Sequence, residues 1–341
     1  MSSYKRNTSA KKRQERLEEI MEKLEQGVKD VFQSENYKNY LKTMAKFYHY
    51  SLNNTILIAM QRPGATLVAG HQAWQQKFGR RVKLGEKGIR ILAPMPKKVK
   101  EKQEVFDPET GELLENAQGD PVTETVEKVK LYGFRVVTVF DISQTEGKEL
   151  PSLGIQELSG NVEQYENFLK AIQAVSPIPV EIEEIKGSAK GYFSLLEQRI
   201  VLKEGMSQTQ TIKTAIHELA HAKLHGEIPK TDDTDARASQ KSRETKEVEA
   251  ESVAYTICQH YGIETSDYSF GYIAGWSSGR DLKELKASLE IIRTASAQLI
   301  RDLDKQLLIL CETQEITTLE EKSHDQKEVQ EPSATFILSM T

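Results

Sequence analysis

An HExxH pentapeptide beginning at His217 constrains this chain more than any other stretch. It lies in a run without Gly or Pro, residues 211–225, whose apolar spacing predicts a helix with Thr211 as its N-cap. Because residues four apart share a helix face, His217 and His221 can bind one metal ion, and Glu218 can reach its water. Two imidazoles and a Glu general base form the zincin arrangement for Zn²⁺. The competing interpretation is a helix that carries two histidines by chance.

A metal site of this kind needs a third protein ligand, and its position distinguishes the zincin subclasses. The metzincin pattern continues with a Gly and a His at two set positions. Leu224 and Glu227 occupy those positions, which excludes that subclass. Downstream, Glu247 and Glu251 are four residues apart and therefore share a helix face. An ordinary acidic helix face is the alternative interpretation of this pair.

The sequence Glu-x-x-Ala from Glu247, followed by the acidic Glu251, resembles the third-ligand helix of gluzincins and of IrrE/ImmA-type metallopeptidases. The resemblance implies that Glu247 is the third zinc ligand. It also implies that Glu251 accepts a hydrogen bond from a ligand histidine. Glu251 is the next choice for the ligand itself. An electrophilic helper is not determined, and Tyr192 and Tyr272 are the candidates.

The composition indicates a two-domain cytoplasmic protein. The chain has 341 residues, of which 38% are hydrophobic, so each of two domains can build a core. No apolar stretch is long enough to span a membrane, and the N-terminus has no secretory signal, so we expect no membrane partner. Two cysteines, Cys258 and Cys311, give no disulfide framework and fit a reducing compartment.

The charge distribution is strongly asymmetric along the chain. Residues 1–100 contain 21 Lys and Arg but only 8 Asp and Glu, although the whole chain has a net charge of −5. A basic first third on an acidic chain suggests a polyanionic partner for that part. A solvated basic tail and helix are the alternative explanation.

The residues from Arg80 to Pro94 predict a cationic β-hairpin. Two short alternating strands flank a Gly-Glu-Lys-Gly turn at residues 85–88. Trp74 and Phe78 lie just before it and could stack on bases, as aromatic rings do when proteins hold single strands. Trp74 could equally belong to the core. The cations of this stretch are Arg80, Arg81, Lys83, Lys87 and Arg90.

The run from Tyr50 to Pro94 resembles the N-terminal single-stranded-DNA-binding domain of ArdC-type antirestriction proteins, most closely the LtrC-like versions of conjugative elements. The shared features are Asn54 before an apolar helix, the pair Gln72-Ala73, and the segment 79–88. Leu84 stands where these proteins usually have a Lys. In the family, a gluzincin-like domain follows. The resemblance implies DNA contacts by Asn54, Trp74, Arg80, Arg81, Lys83, Lys87 and Arg90.

The predicted fold class is α+β, with a small α+β DNA-binding domain followed by a zincin-like metallopeptidase domain that contains the HExxH helix. Polar residues 97–130 are expected to form a long, mobile hairpin connection. A helix from Asp281 is expected to end near Leu310. The predicted segments are a basic tail and helix at 1–35, the DNA-binding domain at 36–145, a linker at 146–161, the zincin-like domain at 162–310 and a disordered acidic tail at 311–341.

Together these patterns predict a single-stranded-DNA-binding protein with a zinc metallopeptidase-like domain. The resemblance implies protection of incoming mobile-element DNA from restriction during conjugative transfer, and the peptidase domain implies a protein or peptide substrate. One alternative is a regulatory metalloprotease that cleaves a repressor, as IrrE/ImmA-type proteins are thought to do. Another is a catalytically silent protein in which zinc only stabilises the second domain.

Overall fold

The structure is a computed structural model that describes residues 2–150, 162–226, 241–263, 265, 268 and 270–328. Packing divides the chain into two units. The first comprises Met1–Asp30 and Asn53–Leu150, and the second comprises Val31–Leu52 and Pro151–Thr341. Both units mix helices and strands, which confirms the predicted α+β class. In the part of the chain that the structure describes, no helix could cross a membrane.

The first unit packs helices against a small antiparallel sheet. Its sheet has the order β1-β4-β3, and β2 pairs separately with β5. The core combines apolar side chains of the first helix, such as Leu24 and Val28, with Ile56, Ile89 and Val139. The helices are α1 (Ser2–Val31), α3 (Leu52–Gln61) and α4 (His71–Phe78), and the strands are β1 (Val68–Ala69), β2 (Arg80–Val82), β3 (Ile89–Glu104), β4 (Thr123–Asp141) and β5 (Thr145–Gly147).

The predicted hairpin between β2 and β3 is wrong, although both strands form. β2 pairs with β5, with Arg81 opposite Glu146, and β3 pairs with β4, with Arg90 opposite Thr138. The turn between the two strands is held by Gln144, whose amide nitrogen donates to the Glu86 carboxylate and to the Lys87 carbonyl, both at 2.8 Å. Short alternating strands can pair with many partners. The Gly-Glu-Lys-Gly turn that joins β2 to β3 was therefore not enough to make these two strands pair with each other.

Residues 97–130 are more ordered than the sequence predicted. β3 and β4 continue as an antiparallel ribbon from Pro96 opposite Leu131 to Glu104 opposite Thr123. Val and Thr, which are enriched in strands, occur mainly on the β4 side as Thr123, Thr125, Val126 and Val129, whereas residues 97–104 of β3 contain only Val99. The predicted hairpin connection is therefore present, and for most of its length it consists of regular, paired β-strands.

The second unit builds a three-stranded sheet beside a set of helices. The sheet order is β6-β8-β7, so β7 is an edge strand, with β6 parallel and β7 antiparallel to β8. β8 is buried through Ile200, Val201 and Leu202. The helices are α2 (Ser34–Lys46), α5 (Val162–Val175), α6 (Gln208–His225), α7 (Arg243–His260), α8 (Ile273–Ser277) and α9 (Leu282–Glu328), and the strands are β6 (Val180–Glu183), β7 (Gly191–Ser194) and β8 (Arg199–Lys203).

Helix α2 belongs to the second unit, whereas the sequence placed residues 36–52 in the DNA-binding domain. The Tyr37 ring is fully buried against Phe270, with 5.2 Å between ring centroids. Its hydroxyl lies 2.8 Å from the Ser252 hydroxyl on α7, and the His260 Nδ1 lies 2.9 Å from the Ala45 carbonyl. These buried contacts attach a segment of the N-terminal half to the helix that carries Glu247.

Helix α9 is longer than the sequence predicted. It continues past Leu310 to Glu328, so the described part of the predicted tail, 311–328, is helical. No Gly or Pro interrupts this stretch, which is rich in Glu, Lys, Gln and Leu, the residues with high helix propensity. Residues 329–341, and most of the predicted linker at 146–161, lie outside the described residues.

Candidate metal centre and DNA-contacting residues

Helix α6 carries the HExxH residues and begins one turn earlier than predicted. Ser207 is its N-cap: the backbone there is extended, and the Ser207 hydroxyl accepts the backbone N–H of Gln210. Thr211 lies inside the helix, where its hydroxyl bonds back to the Ser207 carbonyl at 3.1 Å. Most of the helix is buried, so the orientation of its histidine face is determined by packing.

His217, His221 and Glu247 converge on one point. The two histidine Nε2 atoms are 3.1 Å apart. The Glu247 Oε2 atom lies 3.6 Å from His217 Nε2 and 3.4 Å from His221 Nε2. Ligand atoms about 2 Å from a tetrahedral zinc lie about 3.3 Å from one another. The donor set therefore fits a zinc-sized ion, and it is the one such His, Cys, Asp and Glu cluster among the described residues.

Glu247 reaches this cluster from helix α7. Ser242 caps the start of α7 by accepting the Thr245 N–H, which places Glu247 in the second helical turn. Hydrogen bonding to His217 and then His221 holds the pKa of Glu247 far below its usual value, against the opposing effect of burial. Burial lowers the pKa of His217, but the Glu247 hydrogen bond and the Glu218 charge outweigh it, and the net pKa is raised.

Glu218 lies beside this cluster, nearly buried, and faces the open edge of the sheet. Burial raises the pKa of its carboxyl group, while the nearby histidines and a hydrogen bond from the Phe193 backbone N–H act to lower it. The Lys190 backbone carbonyl accepts a hydrogen bond from the backbone N–H of Lys203 on β8. By strand alternation, Gly191 and Phe193 direct their backbone groups away from β8. The carboxylate is thus positioned where an added strand would lie.

Glu251 has a different partner from the one predicted. It accepts a hydrogen bond from the Tyr272 hydroxyl rather than from a ligand histidine. Burial raises the pKa of the Glu251 carboxyl group, and the Tyr272 hydrogen bond opposes this. Burial and the Glu251 contact together raise the pKa of Tyr272 far above its usual value, so its hydroxyl keeps its proton.

A buried polar cluster next to the metal ligands was missed by the sequence analysis. Glu249 is fully buried, and its two oxygens accept from Lys241 Nζ at 2.8 and 2.7 Å, with a further bond from the Ser288 hydroxyl at 3.1 Å. His225 Nε2 lies 3.7 Å from Glu249, and burial lowers the pKa of His225 to about 4. Nothing in the spacing of the sequence distinguishes Glu249 from its exposed acidic neighbours.

A cleft of about 280 Å³ opens beside this cluster. It is lined by Phe193 of the edge strand and Leu195 just after it, by His221 and His225 of α6, and by Lys241, Arg243, Lys246 and Glu247. The metal ligands therefore border a space that a side chain of a bound peptide can enter.

Trp74 is not available as a base-stacking ring. Its side chain is 0% exposed, and its indole N–H donates to the Phe140 carbonyl at 2.8 Å. Helix α4 presents this ring to the sheet, and Phe78 packs on it with 5.0 Å between centroids. The prediction of a DNA contact at Trp74 is wrong, because stacking would require opening of the core.

Asn54 and Arg80 are also occupied by internal hydrogen bonds. The Asn54 amide nitrogen donates to the Leu92 carbonyl at 2.9 Å, and its oxygen accepts the Leu92 N–H at 2.8 Å. This pair closes the free edge of β3 against helix α3. The Arg80 guanidinium donates to Thr145 and to the carbonyls of Gly147 and Lys148, which secures the pairing of β2 and β5. Both residues have structural roles that explain their presence.

The remaining cations of the predicted DNA surface differ in their partners. Arg81 and Lys87 are exposed, with no side-chain partner among the described residues. Lys83 donates to the Ser143 carbonyl at 3.1 Å, and Arg90 forms an ion pair with Glu19 at 3.2 Å. Arg81 lies on β2 and Arg90 on β3, two strands that do not pair with each other. Lys83 and Lys87 lie in the loop between these strands, so the four cations do not form the single hairpin face that was predicted.

Comparison with known proteins gives a family assignment for each half of the chain. Residues 10–140 match the N-terminal domain of anti-restriction factor ArdC, and residues 176–262 match the IrrE N-terminal-like domain. An uncharacterized protein of Bacillus anthracis is 30% identical over 327 residues, a match that covers 86% of this chain. The chain spans about half, 52%, of the length of that relative.

Among solved structures, the chain is similar to the antirestriction ArdC protein from the R388 plasmid. The metal-free structure is 20% identical and the Mn(II)-bound structure 16% identical. Each match covers 76% of this chain and 84% or 85% of the other, with a TM-score of 0.41. The two domain matches, in the predicted order, show that this chain joins an ArdC-type N-terminal domain to an IrrE-like domain.

Proposed function

We propose that the protein is a zinc metallopeptidase whose first unit binds single-stranded DNA, and that it protects incoming mobile-element DNA during conjugative transfer. The observation that carries the peptidase half is the convergence of His217, His221 and Glu247 within 3.6 Å of one another, beside Glu218. Two histidines, a carboxylate and an adjacent Glu are the donor set of a catalytic zinc site with one open position.

The residues of the chain divide the work of peptide hydrolysis in a specific way. Bound zinc would supply a Lewis acid that polarises a peptide carbonyl and lowers the pKa of a water. His217, His221 and Glu247 would hold that ion. Glu218 takes the proton of the attacking water and delivers it to the leaving amine. In the metal-free protein, burial raises the pKa of the Glu218 carboxyl group, whereas the charge of a bound cation would act to lower it.

The edge strand β7 supplies a place for the substrate backbone. The Phe193 carbonyl faces the open edge of the sheet, where it can accept a backbone N–H of an extended peptide. The Phe193 N–H is already bonded to Glu218. An added strand at this edge would bring its scissile bond to the catalytic residues.

The DNA-binding half of the proposal rests on the ArdC domain match and on the basic composition of residues 1–100. We infer a cytoplasmic location because the DNA of a mobile element arrives there as a single strand. A regulatory protease that cleaves a repressor would use the same metal centre, and so would a protein in which zinc only stabilises the second unit. These alternatives differ in whether hydrolysis is needed and in what is cleaved.

The Glu218→Gln variant tests the peptidase proposal. We expect it to bind zinc as wild type does, because Glu218 is not a ligand, and to lose protection of transferred DNA in a restricting host. Glu204→Gln is the matched control, since Glu204 is exposed and is neither a proposed metal ligand nor the proposed general base. Full protection by a zinc-loaded Glu218→Gln protein would favour the structural role for zinc. The peptidase role would also be contradicted if variants that do not bind DNA lose protection while Glu218→Gln keeps it.

A further inference from the structure

The ribbon formed by β3 residues 94–104 and β4 residues 123–135 is exposed on both faces. β1 pairs with β4 only at Phe140 and Asp141, so the described strands of this unit give the ribbon no third strand. A two-stranded ribbon without further packing is marginally stable in water. A ligand that binds across both strands can add to the stability of such a ribbon. The side chains of the ribbon indicate what kind of ligand could bind there.

Large aromatic and aliphatic side chains lie exposed at the base of the ribbon. Tyr132 is 65% exposed and Phe134 is 46% exposed. The register shifts at Pro94 and Pro96, opposite Gly133, whose φ is +142°. Such a bulge changes the direction of neighbouring side chains. It allows both rings to project from the ribbon instead of packing on the core.

Cations surround these rings. Residues 94–100 and 127–135 contain six Lys and Arg but only one acidic residue, Glu127. Lys97 Nζ lies 4.7 Å from the Tyr132 ring centroid, and Lys97 is directly opposite Lys130 in the strand register. Like charges opposite one another destabilise a strand pair. The arrangement therefore favours an anion bound across the ribbon.

Ion pairs neutralise only part of this charge. Lys98 pairs with Glu127 at 3.6 Å, and Lys130 pairs with Glu101. Lys100, Lys128 and Arg135 have no ion pair among the described residues. Free cations next to exposed rings are the combination with which proteins hold single-stranded nucleic acids.

We propose that the base of this ribbon is the single-stranded-DNA contact surface of the first unit. Bases stack on Tyr132 and Phe134, and phosphates bind Lys97 and Lys128. The proposal rests on the DNA-binding function proposed above and names the site within it. Stacking needs unpaired bases with free faces, so this surface selects single strands over duplex DNA.

The test measures binding of the full chain to a fluorescein-labelled oligothymidine of about 20 nucleotides, longer than one binding site. Anisotropy titrations follow the affinity at several salt concentrations. Tyr132→Ala is expected to weaken binding about tenfold, whereas Tyr132→Phe keeps the ring and the affinity. The Lys97→Ala/Lys128→Ala variant is expected to lower the log–log salt slope by about 0.7 per lost phosphate contact.

Matched controls separate this surface from others in the unit. Phe106→Ala removes a ring of similar exposure, 53%, beyond the paired end of the ribbon, and should leave affinity unchanged. Lys83→Ala/Lys87→Ala removes two cations of the predicted hairpin and should change the salt slope less than Lys97→Ala/Lys128→Ala does. Thermal melts check that each variant is folded.

Three outcomes would overturn the proposal. Unchanged affinity in Tyr132→Ala, with wild-type binding intact, would contradict the ribbon site but leave the proposed function standing. Failure of the wild-type chain to bind single strands would contradict both. A Tyr132→Ala variant that changes oligomeric state but not DNA affinity would show that the ribbon contacts a second copy of this chain instead.

Discussion

The metal-ligand cluster of the second unit and the cationic strands of the first unit use charged side chains in opposite ways. In the cluster, His217, His221 and Glu247 come within 3.6 Å of one another on two packed helices. On the ribbon, lysines such as Lys97 and Lys128 are spread over exposed strands. The cluster concentrates its function in three donor groups, whereas the ribbon distributes it over many weak contacts.

This difference determines how each region should respond to mutation. A metal site loses most of its affinity when one ligand is removed, because the remaining groups cannot complete the coordination. A polyanion surface loses a modest amount per charge, because each phosphate contact contributes separately.

The largest effect is expected from His217→Ala/His221→Ala. Stoichiometric zinc should be lost, because two of the three donors are removed, and metal analysis of the purified protein measures this. Glu247→Gln should also weaken binding strongly, whereas Glu251→Gln should retain the metal, since Glu251 contacts Tyr272. Zinc retained by Glu247→Gln but lost by Glu251→Gln would show that the third ligand is wrongly assigned.

Trp74→Ala should destabilise the first unit by about 3–5 kcal/mol, the usual range for removal of a buried large aromatic side chain. Denaturant unfolding followed by circular dichroism measures the change. Phe78→Ala is the control for a half-buried ring on the same helix. The structural role would be refuted by a Trp74→Ala protein that unfolds like wild type yet binds DNA more weakly.

The buried His225 predicts a pH dependence of stability in the metal-free protein. Its pKa is about 4 when folded, below the value of about 6.5 for an unfolded histidine. Between these pH values the unfolded chain binds more protons, so the His225 contribution to the free energy of unfolding falls as pH is lowered from 7 to 4. At 1.36 kcal/mol per pKa unit, the loss is no more than about 3 kcal/mol.

The measurement is the difference in unfolding free energy between wild type and His225→Gln at several pH values. His71→Gln, at an exposed histidine of the first unit, is the control. A wild-type advantage that stays constant from pH 7 to 4 would contradict the assignment to His225.

Asn54→Ala should destabilise the first unit by about 1–2 kcal/mol, because two hydrogen bonds to Leu92 are lost and its backbone groups are left unpaired. The neighbouring Asn53→Ala is the control. Chemical unfolding tests the stability, and a DNA titration should show little change in either variant. If Asn54→Ala selectively loses DNA affinity, Asn54 contacts DNA and its role is not only structural.

The strand pairing of the first unit shows why part of the fold could not be predicted. The alternation around Val82 and around Ile91 correctly indicated strands. It did not indicate that β2 would pair with β5, because any strand of similar pattern offers the same backbone groups. The sequence did not determine whether Trp74 is buried, for a related reason. An aromatic ring with a polar N–H suits both a core and a stacking surface.

Other features depended on packing between distant parts of the chain. Tyr37 and Glu249 both have ordinary local sequences. Only the folded second unit brings Tyr37 against α7 and places Lys241 and Ser288 beside the Glu249 carboxylate. The hydrogen bond of Glu251 to Tyr272 likewise joins residues on different helical segments.

The sequence by itself determined the metal-binding face of α6, because the i, i+4 geometry of a helix places His217 and His221 together wherever that helix packs. It also predicted the order of the two domains through their motifs. Only the tertiary structure decided that Glu247 completes the cluster, that Trp74, Asn54 and Arg80 are used internally, and that Tyr132 is exposed. The physical reason is that helix periodicity is a local property, whereas burial and strand pairing depend on which distant residues compete for the same surface.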